Sequence, residues 1–139
     1  MVQKIEHIGI VVADLEAALK KYTGLLGLEL TEVEEVEVDG ALNRVAFMPL
    51  KEINIELVHT SATHGPASDF LREKGEGIHH LAFEVDDLEK TFNELRQRGA
   101  KFLWDKIIPG SRNTRVAFFE PQEFNGIYIE LLEKMPEQR

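Results

Sequence analysis

The sequence predicts an α+β protein built from two βαβββ modules, and three observations carry that prediction. The stretch "IEHIGIVVADLE" beginning at Ile5 is nearly repeated by "IHHLAFEVDDLE" beginning at Ile78. Later landmarks keep the same order in both halves, with partners 71 to 74 residues apart: His7 with His80, Asp14-Leu15-Glu16 with Asp87-Leu88-Glu89, Gly27 with Gly99, "NRVAF" at Asn43 with "TRVAF" at Thr114, and "NIEL" at Asn54 with "YIEL" at Tyr128. Finally, the spacing of apolar residues switches between strand-like alternation and helical periodicity at matching places in the two halves.

Taken in order, "KIEHIGIVV" alternates between faces and reads as a strand, and "DLEAALKKYTGLLG" puts its apolar residues at helical spacing behind an N-cap candidate, Asp14. Gly27 is the expected helix stop. Three strand-like runs follow, "LELTEVEEVEV", "NRVAFMPL" and "INIELVH". The acidic run within the first of them suits a solvated edge strand, where charge opposes unwanted pairing. The segment "TSATHGPASDFLREKGEG" is rich in turn-forming residues and reads as a linker holding one short helix, "PASDFLREK". The second half then repeats the plan: "GIHHLAFEV" as strand, "DLEKTFNELRQRG" as helix from Asp87 to Gly99, and "KFLWDKI", "TRVAFFEP" and "IYIELLE" as strands. A single domain over 1–139 is expected, with a first module of about 1–60, a linker of about 61–76 and a second module of about 77–135.

Composition narrows the functional classes. A chain of 139 residues with 43% hydrophobic and 29% charged content can bury a core and is neither disordered nor membranous. The net charge of −9 argues against a nucleic-acid surface, which needs clustered Lys and Arg. The absence of cysteine removes disulfides, thiolate metal sites and cysteine nucleophiles together. No apolar run reaches membrane-spanning length, and the opening "MVQKIEHIG" carries no signal-peptide pattern, so a cytoplasmic protein without a membrane partner is expected.

Strand parity then isolates four side chains. His7 shares a face with Gly9 and Val11, while Ile8, Ile10 and Val12 point the other way, toward the helices. In the second half His80 shares a face with Ala82, and His79, Leu81, Phe83 and Val85 take the opposite one; His80, not His79, is the equivalent of His7. Glu56 lies between Ile55 and Leu57, and Glu130 between Ile129 and Leu131, so each carboxylate faces away from its apolar row. A carboxylate inside an apolar strand is costly to bury unless it is paired or binds a metal. Two histidines and two carboxylates related by the repeat form an N/O ligand set for one first-row divalent ion, with the inner faces of two half-sheets meeting around it. His59, His64 and His79 are expected to be structural or exposed, and Trp104 and Phe102 to pack in the core or at a subunit contact.

With these residues in view, the chain resembles the vicinal oxygen chelate superfamily over nearly its whole length. "GEGIHHLAFEVDDLE" at Gly75, with "FLREKG" before it, "IEHIGIVVADLEAALKKY" and "FMPLKEINIELVH" are similar to segments of its methylmalonyl-CoA epimerases. The resemblance implies a U-shaped mixed sheet formed by paired βαβββ modules around a divalent metal, with His7, Glu56, His80 and Glu130 at the four ligand positions. It points to cobalt, with nickel, zinc and manganese as alternatives, and to a homodimer. The chain departs from the epimerase pattern at "PGSRNTRVAF", where Arg112, Asn113 and Arg115 replace small residues and a lysine, and at "EPQEFNG", which replaces the usual "HPK" turn. A glutamate proposed as second acid/base on the third strand of some epimerases is matched by Arg44.

The resemblance also implies the chemistry: removal of a proton from a carbon next to a carbonyl, with the resulting enolate stabilised by the ion. Glu130 is the expected base, with Glu56 as the alternative. Arg44 and Arg115, at equivalent places in the two "RVAF" runs, are candidates for binding a substrate carboxylate or a CoA phosphate. The expected activity is epimerisation of a branched acyl-CoA such as methylmalonyl-CoA. The same quartet occurs in glyoxalase I, so a lyase acting on a glutathione hemithioacetal is the rival reading. A non-catalytic, small-molecule-binding member of the superfamily is the third.

Overall fold

The structure, a computed structural model, describes residues 1–136. The elements run β1 (Val2–Val11), α1 (Leu15–Gly24), β2 (Glu32–Val38), β3 (Ala41–Pro49), β4 (Asn54–Thr60), α2 (Pro66–Lys74), β5 (Gly77–Val85), α3 (Leu88–Gln97), β6 (Ile108–Pro109), β7 (Thr114–Phe118) and β8 (Tyr128–Lys134), with a 3₁₀ turn at Pro121–Phe124 before β8. This is βαβββ written twice, joined through α2. The chain falls into two compact units, one of residues His7–His79 and one of Met1–Glu6 with the residues from His80 onward.

In the first unit the strand order is β2-β3-β4-β1. The neighbours β2, β3 and β4 pair antiparallel, and His7–Val11 of β1 runs parallel to Asn54–Val58 of β4. A parallel pairing needs a crossover, and α1, β2 and β3 supply it. Two apolar layers result. Ile10, Val12, Ala46, Met48, Ile55 and Leu57 pack under Leu15, Ala18, Leu19 and Tyr22 of α1. On the opposite face Val11, Val36, Val45, Phe47 and Val58 pack against Ala67, Phe70 and Leu71 of α2. The face that carries His7 is therefore itself part apolar, because α2 covers one end of it.

The second unit repeats the plan in the order β5-β8-β7-β6, with β5 parallel to β8 and β7 antiparallel to both β8 and β6. Leu81, Phe83, Val85, Ala117, Phe119, Ile129 and Leu131 pack under Leu88, Phe92 and Leu95 of α3.

The helix ends obey the local rules. Asp14 Oδ1 accepts the Ala17 N–H at 3.0 Å and Asp87 Oδ1 accepts the Lys90 N–H at 3.1 Å, so both expected N-caps work in the same way. Gly27 takes a left-handed φ of +71° and sends its N–H back to the Thr23 carbonyl. The chain turns there, three residues beyond the last residue of α1.

One expected strand is largely missing. "KFLWDKI" forms only an isolated bridge between Phe102 and Phe119, and ladder pairing begins at Ile108. Aromatic packing decides this: the Phe102 ring stacks on Phe119 at 4.4 Å and meets Phe92 at 4.5 Å, so the segment is anchored by its ring rather than by a ladder. The hairpin that follows is tight. A Cβ added at Gly110 would lie 2.6 Å from both Thr114 Oγ1 and Val116 Cγ1. That hydroxyl is held on the Ser111 carbonyl at 2.7 Å, and Val116 is buried. Gly110→Ala is expected to destabilise the protein by roughly 1–3 kcal/mol, as overpacking does, which a shift of the urea unfolding midpoint at unchanged slope would measure.

Candidate functional site

Each unit builds one buried histidine–carboxylate pair, and both do so by the same register. In the parallel pair β1/β4, His7 aligns with Asn54 and Gly9 with Glu56. In β5/β8, His80 aligns with Tyr128 and Ala82 with Glu130. Each glutamate thus stands beside the residue two positions after its histidine, on the same face of the sheet. That neighbour is small both times, Gly9 or Ala82, which leaves room for the imidazole and the carboxylate to lean together. On the other side of each glutamate is a phenylalanine, Phe47 across from Glu56 and Phe118 across from Glu130.

His7 Nδ1 lies 2.9 Å from Glu56 Oε2, with side chains 4% and 6% exposed. His80 Nε2 lies 3.9 Å from Glu130 Oε1, with 7% and 9% exposure, and the His80 ring meets Phe118 edge-on at 5.8 Å. Carboxylates this dry call for a cationic partner. Donors each about 2.0–2.2 Å from one ion can be no more than about 4.4 Å apart. Both pairs meet that limit, and imidazole with carboxylate is a donor set that suits first-row divalent ions. The residues present therefore fit a metal.

The two arginines do not join these pairs. Arg44 is in register with His59 on the α1 side of its sheet, and its guanidinium binds Glu16 of α1 at 3.0 Å. That contact holds the Glu16 carboxyl below its usual range. Arg115 is in register with Glu133 on the α3 side, opposite the face of Glu130. The register thus puts both arginines on the helix side of their sheets, away from the face of Glu56 and Glu130, and the distal CoA phosphates rather than the acyl head are the substrate groups they could still meet. Arg44 is on the face of β3 opposite that of Phe47, the residue across from Glu56.

His79 is buried, with its ring edge-on to Phe70 at 5.2 Å. Burial disfavours the imidazolium and pulls its pKa down to about 4, against an opposing backbone hydrogen bond at Pro66. This is a packed core histidine on the opposite face from His80, as parity requires. His59 is half-buried, with Nδ1 at 3.2 Å from the Val12 carbonyl oxygen.

The structure adds a polar group that sequence reasoning missed. Lys134, on the same face of β8 as Glu130, bridges Glu6 at 3.1 Å and Glu84 at 3.2 Å. Burial alone would lower the Lys134 pKa, but the two carboxylates outweigh it and raise it. Parity could have shown half of this: Glu84 is four residues after His80 and Lys134 four after Glu130, so both are on site-bearing faces, whereas Glu6 is adjacent to His7 and has the opposite parity.

The chain is similar to known proteins over most of its length. Residues 6–118 match the family profile of the glyoxalase/bleomycin resistance protein/dioxygenase superfamily. An ethylmalonyl-CoA/methylmalonyl-CoA epimerase of Cereibacter sphaeroides is 34% identical, over 94% of this chain and 98% of its own. The mitochondrial methylmalonyl-CoA epimerase of Homo sapiens is 29% identical, over 92% of this chain and 72% of its own. Among solved structures, methylmalonyl-CoA epimerase from Mycobacterium tuberculosis superposes with a TM-score of 0.87 at 31% identity, covering 97% of this chain and 90% of that one. A Streptomyces coelicolor methylmalonyl-CoA epimerase in complex with 2-nitronate-propionyl-CoA also gives 0.87, at 26% identity, covering 98% of this chain and all of that one.

Proposed function

This chain belongs to the glyoxalase/bleomycin resistance protein/dioxygenase superfamily, and from that premise we propose that it is an epimerase of a branched acyl-CoA, methylmalonyl-CoA foremost. The observation that carries the reading is the pair of buried His–Glu sets built by one repeated register, His7 with Glu56 and His80 with Glu130. Full-length similarity to epimerases supports this substrate over the hemithioacetal of a glyoxalase I-type lyase. Four buried ligand-type side chains likewise weigh against a purely non-catalytic binding protein.

In this reading His7, Glu56, His80 and Glu130 would hold one divalent ion, cobalt by resemblance. Bound there, such an ion would supply Lewis acidity to the thioester oxygen that gains negative charge as the proton leaves. Glu130 takes the proton from the carbon between the two carbonyls, and Glu56 is the alternative base. Burial raises the effective strength of the carboxylate's electrostatic interactions, and Phe118 beside Glu130 keeps bulk water from that side of it. Epimerisation then returns a proton to the opposite face of the planar enolate, from a second group or a water. The same reading carries a homodimer acting in the cytoplasm; a sedimentation run showing only monomer would remove the dimer. Among the described residues no helix is long and apolar enough to cross a membrane.

Deuterium uptake into methylmalonyl-CoA in D₂O tests the function directly. Metal-stripped protein is expected to be inactive and cobalt-resupplied protein to exchange the proton between the carbonyls. No exchange with any of cobalt, nickel, zinc or manganese would overturn the epimerase reading.

A further inference from the structure

Trp104 leaves the face on which its own segment is anchored. Phe102 packs on the α3 side, against Phe92 and Phe119, and two residues of regular strand would return Trp104 to that side. The chain bends from Leu103 onward instead, and the Trp104 ring meets Phe118 edge-on at 5.8 Å. Phe118 belongs to the other face of the sheet, in register with Glu130, and its ring also meets that of His80. A line of rings therefore runs outward from His80 through Phe118 to Trp104, all within one compact unit. The indole is accessible from outside, since Trp104 is half-buried and the side chain of Asp105 next to it is 97% exposed. Its backbone is also pinned: the Leu103 N–H donates to the Phe118 carbonyl at 2.7 Å, and the Glu120 N–H to the Lys101 carbonyl at 2.9 Å.

We propose that Trp104 is a specificity-determining residue that, with Phe118, limits the length of the alkyl branch on the carbon between the two carbonyls. The inference rests on the epimerase reading above and deepens it, because it narrows the substrate class to malonyl-CoA esters with a short branch. At the reacting carbon the branch is the one wholly apolar substituent, and uncharged rings are the surface that favours it. With the hydrogen of that carbon turned to Glu130, the branch lies beside the carboxylate, where Phe118 is the cross-strand neighbour. A methyl group ends at Phe118. A longer chain has to continue past that ring and meets the indole, which stands across it at an interplanar angle of 86°. The enolate is planar at this carbon, so the branch keeps one place whichever hand of the substrate enters. One wall serves both directions of the reaction.

Deuterium exchange with methylmalonyl-CoA and butylmalonyl-CoA competing in one mixture tests the assignment. The ratio of their kcat/KM values does not depend on how much of a variant is folded. Trp104→Ala is expected to raise the butyl-to-methyl ratio by about tenfold or more, the scale on which an apolar pocket discriminates one or two methylenes. Trp104→Phe keeps a ring at this place and should give a smaller rise. A ratio that does not rise in Trp104→Ala would overturn the inference while leaving the epimerase reading intact, and an equal loss for both esters would make Trp104 a prop for Phe118. Failure of the wild type to exchange methylmalonyl-CoA with any of the four ions would remove the epimerase reading and the inference with it.

Discussion

Glu130→Gln is expected to slow deuterium exchange into methylmalonyl-CoA by about 10²–10⁴-fold, the usual worth of a positioned general base, while the thermal midpoint changes little. Glutamine keeps the shape of the side chain and an oxygen that can still act as a ligand, but it cannot take a proton at neutral pH. The packing around the position is preserved, because Ala82, Phe118 and His80 meet nearly the same outline. Loss of rate with retained metal content therefore separates the base from the ligand, which an alanine variant would confuse. Exchange within tenfold of the wild type would assign the proton to another group, with Glu56 the first to replace.

Loading metal-stripped protein with cobalt is expected to raise its unfolding free energy by about 4 kcal/mol when free metal is a thousandfold above Kd. His7→Ala and His80→Ala should each lose most of that increment. His79→Ala provides the contrast: it removes a buried ring packed on Phe70, so the baseline falls, but the increment from metal should survive. Denaturant unfolding with and without the ion measures both quantities in each variant. An increment that depends on His79 and not on His80 would mean that the strand phase is reversed.

Much of this was legible from parity alone. Alternation put His80 and His79 on opposite faces of their strand, and it put Glu56 with His7 and Glu130 with His80, because a strand has no freedom to do otherwise once its apolar side is covered by a helix. The same rule, carried further, reads the repeated "RVAF" differently. Arg44 and Phe47 are three residues apart, as are Arg115 and Phe118, so an arginine on the helix side entails a phenylalanine beside the carboxylate. The charge drew attention, whereas the wall of the site is the ring. What parity cannot reveal is competition. Nothing in "KFLWDKI" shows that Phe102 will be taken by Phe92 and Phe119, because those partners are distant in sequence.

The two histidine–glutamate distances differ although one register builds both pairs. At 2.9 Å His7 Nδ1 and Glu56 Oε2 are within hydrogen-bonding distance, and at 3.9 Å His80 Nε2 and Glu130 Oε1 are not. Strand register fixes which side chains meet, whereas the last ångström is set by side-chain rotamers that a repeated backbone does not dictate. A repeated sequence thus yields a matched pair of places without a matched pair of bonds.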